Sequence, residues 1–83
     1  MSVVPPFDPS AEPTVYVYVL MADHIEARIR AGELPAGSRL PAERDLVDEY
    51  GVSIGTVRRA TAELRRRGLV TTVPIKGTFV RAT

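Results

Sequence analysis

The sequence predicts a mainly α domain closed by a small β-hairpin, and three observations carry that expectation. Apolar residues recur at helical spacing in three separate segments. A two-residue link, Gly51-Val52, separates the second segment from the third. Two β-rich runs, Leu69 to Val73 and Thr78 to Arg81, then flank Pro74-Ile75-Lys76-Gly77 as the arms of a hairpin. Helix, helix, tight turn, helix and hairpin is the order of a winged helix-turn-helix, three helices plus a two-stranded wing.

Residues 1–13 hold four of the seven prolines (Pro5, Pro6, Pro9 and Pro13) with little apolar periodicity. They read as a flexible Pro-rich N-terminal arm, and residues 14–83 as the folded domain. The first helix has an ambiguous start, because Val15 to Val19 is rich in β-formers. Beyond it, Tyr18, Met21, Ala22, Ile25 and Ile29 fall on one helical face, which decides for a helix from Thr14 or Tyr16 to Gly32. Leu34 to Gly37 is a turn and Arg39-Leu40 a very short strand. Pro41 suits the entry to a second helix, about Ala42 to Tyr50, with Ala42, Leu46 and Tyr50 facing inward. Ser53 is a favourable N-cap for a third helix, Ile54 to about Arg67. Its inward stripe is Val57, Ala60, Thr61 and Leu64.

Composition removes many functions. With no cysteine and a single histidine, His24, there is no disulfide scaffold, no thiol chemistry and no His-rich metal centre. The longest apolar run, Val15 to Ala22, is far shorter than the ~20 residues a bilayer span needs. The start of the chain lacks a positively charged signal region, so a cytoplasmic setting is expected. Asp45, Asp48 and Glu49 have no nucleophile or metal partner in view and read as surface charges; His24 reads as solvent-exposed on a flank of the first helix. No residues support an enzyme, and no cofactor or metal is expected.

The net charge of +1 conceals a division. Residues 1–52 hold four basic against nine acidic groups, and residues 53–83 hold seven basic against Glu63 alone. The +6 of the second part suits a polyanion, although a solvated basic face accounts for it equally. A recognition helix offers its first turns to base edges, which here are Ser53, Ile54, Gly55, Thr56, Arg58 and Arg59. Guanidinium groups bind phosphate or grip guanine through two hydrogen bonds. Ser53 serves as N-cap and, in addition, as a phosphate contact. Gly55 either permits close approach to a groove wall or is simply tolerated in a first turn. Arg65-Arg66-Arg67 complements the helix dipole at least in part. Lys76 and Gly77 lie at the wing tip, where a lysine is also at home merely solvated.

The run Gly32-Glu33-Leu34-Pro35-Ala36-Gly37-Ser38-Arg39-Leu40-Pro41-Ala42-Glu43-Arg44 resembles the lead-in to the helix-turn-helix in the GntR family of bacterial transcription regulators. The likeness continues through Gly51-Val52-Ser53, Thr56-Val57-Arg58, Leu64, Gly68-Leu69-Val70 and Gly77-Thr78-Phe79-Val80, and so spans about residues 16–81. The resemblance implies sequence-specific binding of double-stranded operator DNA, by family habit as a repressor and usually as a homodimer. It implies DNA contacts for Arg44, Ser53, Thr56 and Arg58, and a role for Gly77 at the wing. Two departures stand out: Ile54 takes the place of an arginine that reads guanine, and Ile75 that of the first wing-tip glycine. Ile54 offers a thymine methyl an apolar contact instead.

Such regulators usually carry an effector-binding domain after the wing. Here the chain stops at Thr83, so no small-molecule effector is expected to bind within it. A homodimer is expected to use the N-terminal arm and first helix, through Tyr16 and Leu20 with Val3, Val4 and Phe7, unless the arm folds back over its own helix. The alternatives are an architectural or weakly specific DNA-binding protein, and a winged helix that docks an acidic protein partner.

Overall fold

A computed structural model describes residues 3–82. Helices α1 (Val17–Arg30), α2 (Glu43–Tyr50) and α3 (Ile54–Arg66) precede strands β1 (Val70–Val73) and β2 (Gly77–Val80). The β-forming start of the first segment does not become a strand. Its periodic face decides the matter, because Met21, Ala22 and Ile25 are all buried against the rest of the domain. α1 ends in a pair of backbone bonds, Gly32 N–H to the Ile29 carbonyl and Glu33 N–H to that of Arg28, at 3.1 and 2.9 Å. This is the Schellman arrangement, which satisfies carbonyls that the last turn leaves open.

The three helices close on one core. α2 contributes Leu46 and Tyr50, and α3 contributes Val57, Ala60 and Leu64. Burying a side chain such as Leu64, which is 0% exposed, stabilises the fold by about 1.5–3 kcal/mol. Ala42, expected on the inward face, is exposed instead. It stands at the N-cap of α2 in extended backbone, one residue before the helical periodicity begins. Thr61 is half-buried, its hydroxyl donating to the Val57 carbonyl at 2.9 Å. Between α2 and α3, Gly51 adopts φ +66°, and its N–H bonds the Val47 carbonyl at 2.8 Å. Only two residues, Val52 and Ser53, separate that left-handed cap from α3, which makes the turn tight.

β1 and β2 pair antiparallel, from Val70 opposite Val80 to Val73 opposite Gly77. The segment before α2 joins them: Arg39 forms a bridge to Phe79, and the Leu40 N–H reaches the Thr78 carbonyl at 2.8 Å. The short strand expected at Arg39-Leu40 is thus a single bridge laid along β2. Leu69, Val70 and Val80 root the hairpin in the core, whereas Val73 and Ile75 near its tip are exposed.

His24 is half-buried rather than solvent-exposed. Its Nε2 lies 2.7 Å from the Pro5 carbonyl and its Nδ1 2.8 Å from the Tyr50 hydroxyl. A carbonyl only accepts, so Nε2 carries a proton. The Phe7 ring meets Tyr50 and His24 edge-on, with centroids 4.9 and 5.6 Å apart. Proline content says nothing of this contact, which depends on an aromatic residue meeting the Tyr50 and His24 rings that tertiary folding brings together.

Candidate nucleic-acid interface

α3 presents two surfaces on either side of its exposed ridge. On one side, a cleft of about 470 Å³ lies between α3, the start of α2 and the hairpin. Arg58, Thr61 and Arg65 form its α3 wall, Arg39, Ala42 and Glu43 the wall at the entry to α2, and Thr72, Ile75, Lys76 and Gly77 its hairpin wall. On the other side, Arg59, Ala62, Glu63 and Arg66 face Tyr16 and Tyr18, whose rings stack with centroids 6.0 Å apart.

Ser53 caps α3: its Oγ accepts from the Thr56 N–H at 3.1 Å and also donates to the Thr56 hydroxyl. Both hydroxyls are therefore held at the N-terminus of the helix, where unpaired N–H groups favour an anion. Ile54 follows at 41% exposure. A Cβ built on Gly55 would meet only the Ser53 Oγ, at 3.8 Å, so the chain's own packing does not require glycine there.

Which cations remain available depends on the carboxylates around them. Arg58 Nε donates to Glu43 at 3.2 Å, an exposed pair that water screens. Arg44, Arg59 and the Lys76 ammonium have no ion pair among the described residues, and all three are exposed. The arginines closing α3 behave differently. Arg66 and Arg67 both clasp Glu63, at 2.6 and 2.8 Å, and their hydrogen bonds hold that carboxyl down to about 2. Arg67 also reaches Asp23 and Glu26 of α1 at 2.9 and 3.0 Å. Burial pulls the Arg67 guanidinium down, but the bonds to Glu63, Asp23 and Glu26 outweigh it and leave its pKa raised. Of the seven basic groups after residue 52, Arg58, Arg66 and Arg67 are thus paired within the fold, whereas Arg59, Arg65, Lys76 and Arg81 have no ion pair among the described residues, and neither have Arg39 and Arg44 before them.

The hairpin is coupled to α3 through Arg65, whose Nη1 donates to the Thr72 hydroxyl at 2.9 Å; that hydroxyl lies 3.0 Å from the hydroxyl of Thr78. At the tip, Gly77 has φ +125°, and a Cβ on it would come within 2.9 Å of Arg39 Cδ. The Arg39 stem therefore crosses the bare glycine, with its Nη1 3.5 Å from the Lys76 carbonyl. Ile75 has φ +71°, the one non-glycine residue with positive φ among those described. Such a conformation costs about 1–3 kcal/mol.

The structure thus brings Arg58, Lys76 and Gly77 to one cleft, with Ser53, Ile54, Gly55 and Thr56 on the first turn of α3. Arg44 sits on the first turn of α2, and Arg59 on the far side of the α3 ridge. Sequence reading passed over Arg39 and Glu43 as groove walls. Both stand in the run that leads into α2, but only the bridge to Phe79 and the reach of Arg58 reveal their place.

The pattern described as "Bacterial regulatory proteins, gntR family" matches residues 18–80 of the chain. The chain belongs to this family. The gntR-family relatives include the HTH-type transcriptional regulator SmoD of Agrobacterium fabrum, 36% identical over 66 residues. That match takes in 80% of this chain but 28% of the relative, so the chain spans little more than a quarter of that regulator's length. Among solved structures, YtrA from Sulfolobus acidocaldarius, a GntR-family transcription factor, superposes with a TM-score of 0.82 at 29% identity. The match covers 95% of this chain and 83% of that one. AraR(DBD), solved in complex with operator ORX1, gives 0.77 at 32% identity over 88% of each chain. Three helices and a two-stranded wing are therefore the winged helix-turn-helix of this family, as the residue pattern predicts.

Proposed function

We propose that the chain binds double-stranded operator DNA and regulates transcription, with α3 in the major groove and the wing on the neighbouring minor groove. One observation carries the reading: Arg39, Arg58, Arg65 and Lys76 line one cleft between α3, the start of α2 and the hairpin, and Glu43 is the one carboxylate in its wall among the described residues. Likeness to a domain solved with its operator supports it. In this reading Ser53 and Thr56 hold phosphate at the helix N-terminus, Arg58 leaves Glu43 for a base edge or phosphate, and Ile54 packs on a thymine methyl. Gly55 allows the groove wall close to α3. Arg44, Arg59 and Lys76 neutralise the backbone, and Gly77 carries the wing into position. By family habit the regulator is a repressor acting in the cytoplasm. It pairs through α1, where Tyr16 stands 77% exposed; Leu20 is half-buried and Phe7 is engaged with its own chain.

The test is selection from pooled random duplexes at about 150 mM salt, where purely electrostatic association is weak. The expected outcome is a two-fold motif, with Arg58→Ala losing at least about 1 kcal/mol of affinity for it. Ile54 and Gly55 at the reading head favour a second reading, a weakly specific architectural protein. Retention of duplex at low salt without any enriched motif decides for that reading. Failure to bind duplex at all points to an acidic protein partner.

A further inference from the structure

Three features meet at the tip of the hairpin. Ile75 is fully exposed at 107%, has φ +71°, and follows a proline. The Lys76 N–H donates to the Val73 carbonyl at 3.1 Å, which closes a four-residue turn. Pro74 fixes a negative φ at the second position and Ile75 supplies a positive one at the third, which defines a type II turn. That third position favours glycine or asparagine; for a β-branched side chain it is an outlier. The side chain lies outside the core, so its packing does not offset the strain. Glycine would relieve the backbone and remove an apolar group from water. Strain that folding does not explain is a pointer to function.

We propose that Ile75 is an apolar wedge that enters the DNA minor groove and partly unstacks one base step, stiffened by Pro74. The inference rests on the DNA-binding reading above. Charge selects this occupant: no acidic residue follows Glu63, while Lys76 is adjacent and Arg39 lies across Gly77. A second copy of the wing would bring the same cations against these, whereas a polyanion relieves them. Single aliphatic side chains of this size are what groove-binding proteins insert between base pairs. The bond from Arg65 to Thr72 ties the hairpin to α3, so wedge and recognition helix approach the duplex as one unit. Pyrimidine–purine steps unstack most readily, so the wedge selects such a step at a fixed distance from the bases under α3.

The experiment compares the intact chain with Ile75→Gly in random-duplex selection, in thermal unfolding, and in fluorescence of 2-aminopurine placed at the selected step. The intact chain should enrich a pyrimidine–purine step and brighten the probe. Ile75→Gly should melt no lower than the intact chain, yet bind at least about 5-fold more weakly and lose both the step preference and the signal. Equal affinity and the same selected sequence in Ile75→Gly would overturn the wedge while leaving the DNA reading intact. A lower sedimentation mass of Ile75→Gly without DNA, with unchanged step preference, would assign the tip to a second copy and overturn it as well. If the intact chain binds no duplex even at low salt, the DNA reading fails and the wedge with it.

Discussion

Replacing Arg67 by methionine keeps the aliphatic stem and removes the guanidinium that joins α1 to the end of α3. The Arg67 side chain is 19% exposed and contacts Glu63, Asp23 and Glu26 within 3.0 Å. Two limits bracket the effect. An exposed ion pair is worth about 0.2–1 kcal/mol, and removing one partner of a buried pair costs about 3–5 kcal/mol. The carboxylates left behind are not abandoned: Glu63 keeps Arg66, Glu26 keeps Arg30 at 2.7 Å, and Asp23 is 56% exposed to water. The expected loss is therefore about 2 kcal/mol, between the limits. For a domain of this size that is a large share of a total stability of about 4–12 kcal/mol. The melting temperature should fall by about 8–16 °C. Urea titration followed by circular dichroism at neutral pH measures the loss directly. Arg67→Lys should recover part of it, because a lysine ammonium restores the charge but not the planar fork. A loss below about 0.5 kcal/mol would refute the network as a structural tie. So would an intact melting curve accompanied by weakened duplex binding, which would make Arg67 a nucleic-acid contact.

Two further outcomes follow from the same geometry. Phe7→Ala removes two edge-on ring contacts, each worth about 0.5–1.5 kcal/mol, and should cost about 1–3 kcal/mol in urea titration; unchanged stability would mean that Phe7 does not anchor the N-terminal segment. Hydrogen bonds from Arg66 and Arg67 lower the Glu63 carboxyl from 4.5 to about 2, so its contribution to stability is complete above pH 4.5 and is lost as pH falls towards 2. Glu63→Gln should therefore flatten the stability profile between those values, and an unaltered acid limb would argue against the pairing.

How much could be read from residues alone varied with the range of the interaction. Helical periodicity located Met21, Ala22, Ile25, Val57, Ala60 and Leu64, because a face buried along one helix leaves its spacing in the chain. Local chemistry located the Ser53 cap and the turn at Gly51, since both act within four residues. What escaped were contacts between residues far apart. Arg67 reads as a dipole complement until Asp23 and Glu26 are brought beside it. His24 reads as a solvated flank until Tyr50 and the Pro5 carbonyl close on both ring nitrogens. The candidate site divides in the same way. Its α3 residues follow from the helix start, but the pairing of each arginine depends on which carboxylate it meets: Glu43 for Arg58 and Glu63 for Arg66.

The bridge between Arg39 and Phe79 has a mechanical consequence. The residues that lead into α2 are laced to β2 at Gly37, Ser38 and Leu40, and Arg65 laces α3 to β1. The wing is thus fastened to the lead-in of α2 and to the last turns of α3, and cannot hinge without unlacing them. In the proposed complex with DNA, the interval between the bases under α3 and those under the wing tip would then be a fixed ruler. A target with one base pair too many in that interval loses one of the two contacts, because the domain has no joint with which to follow it.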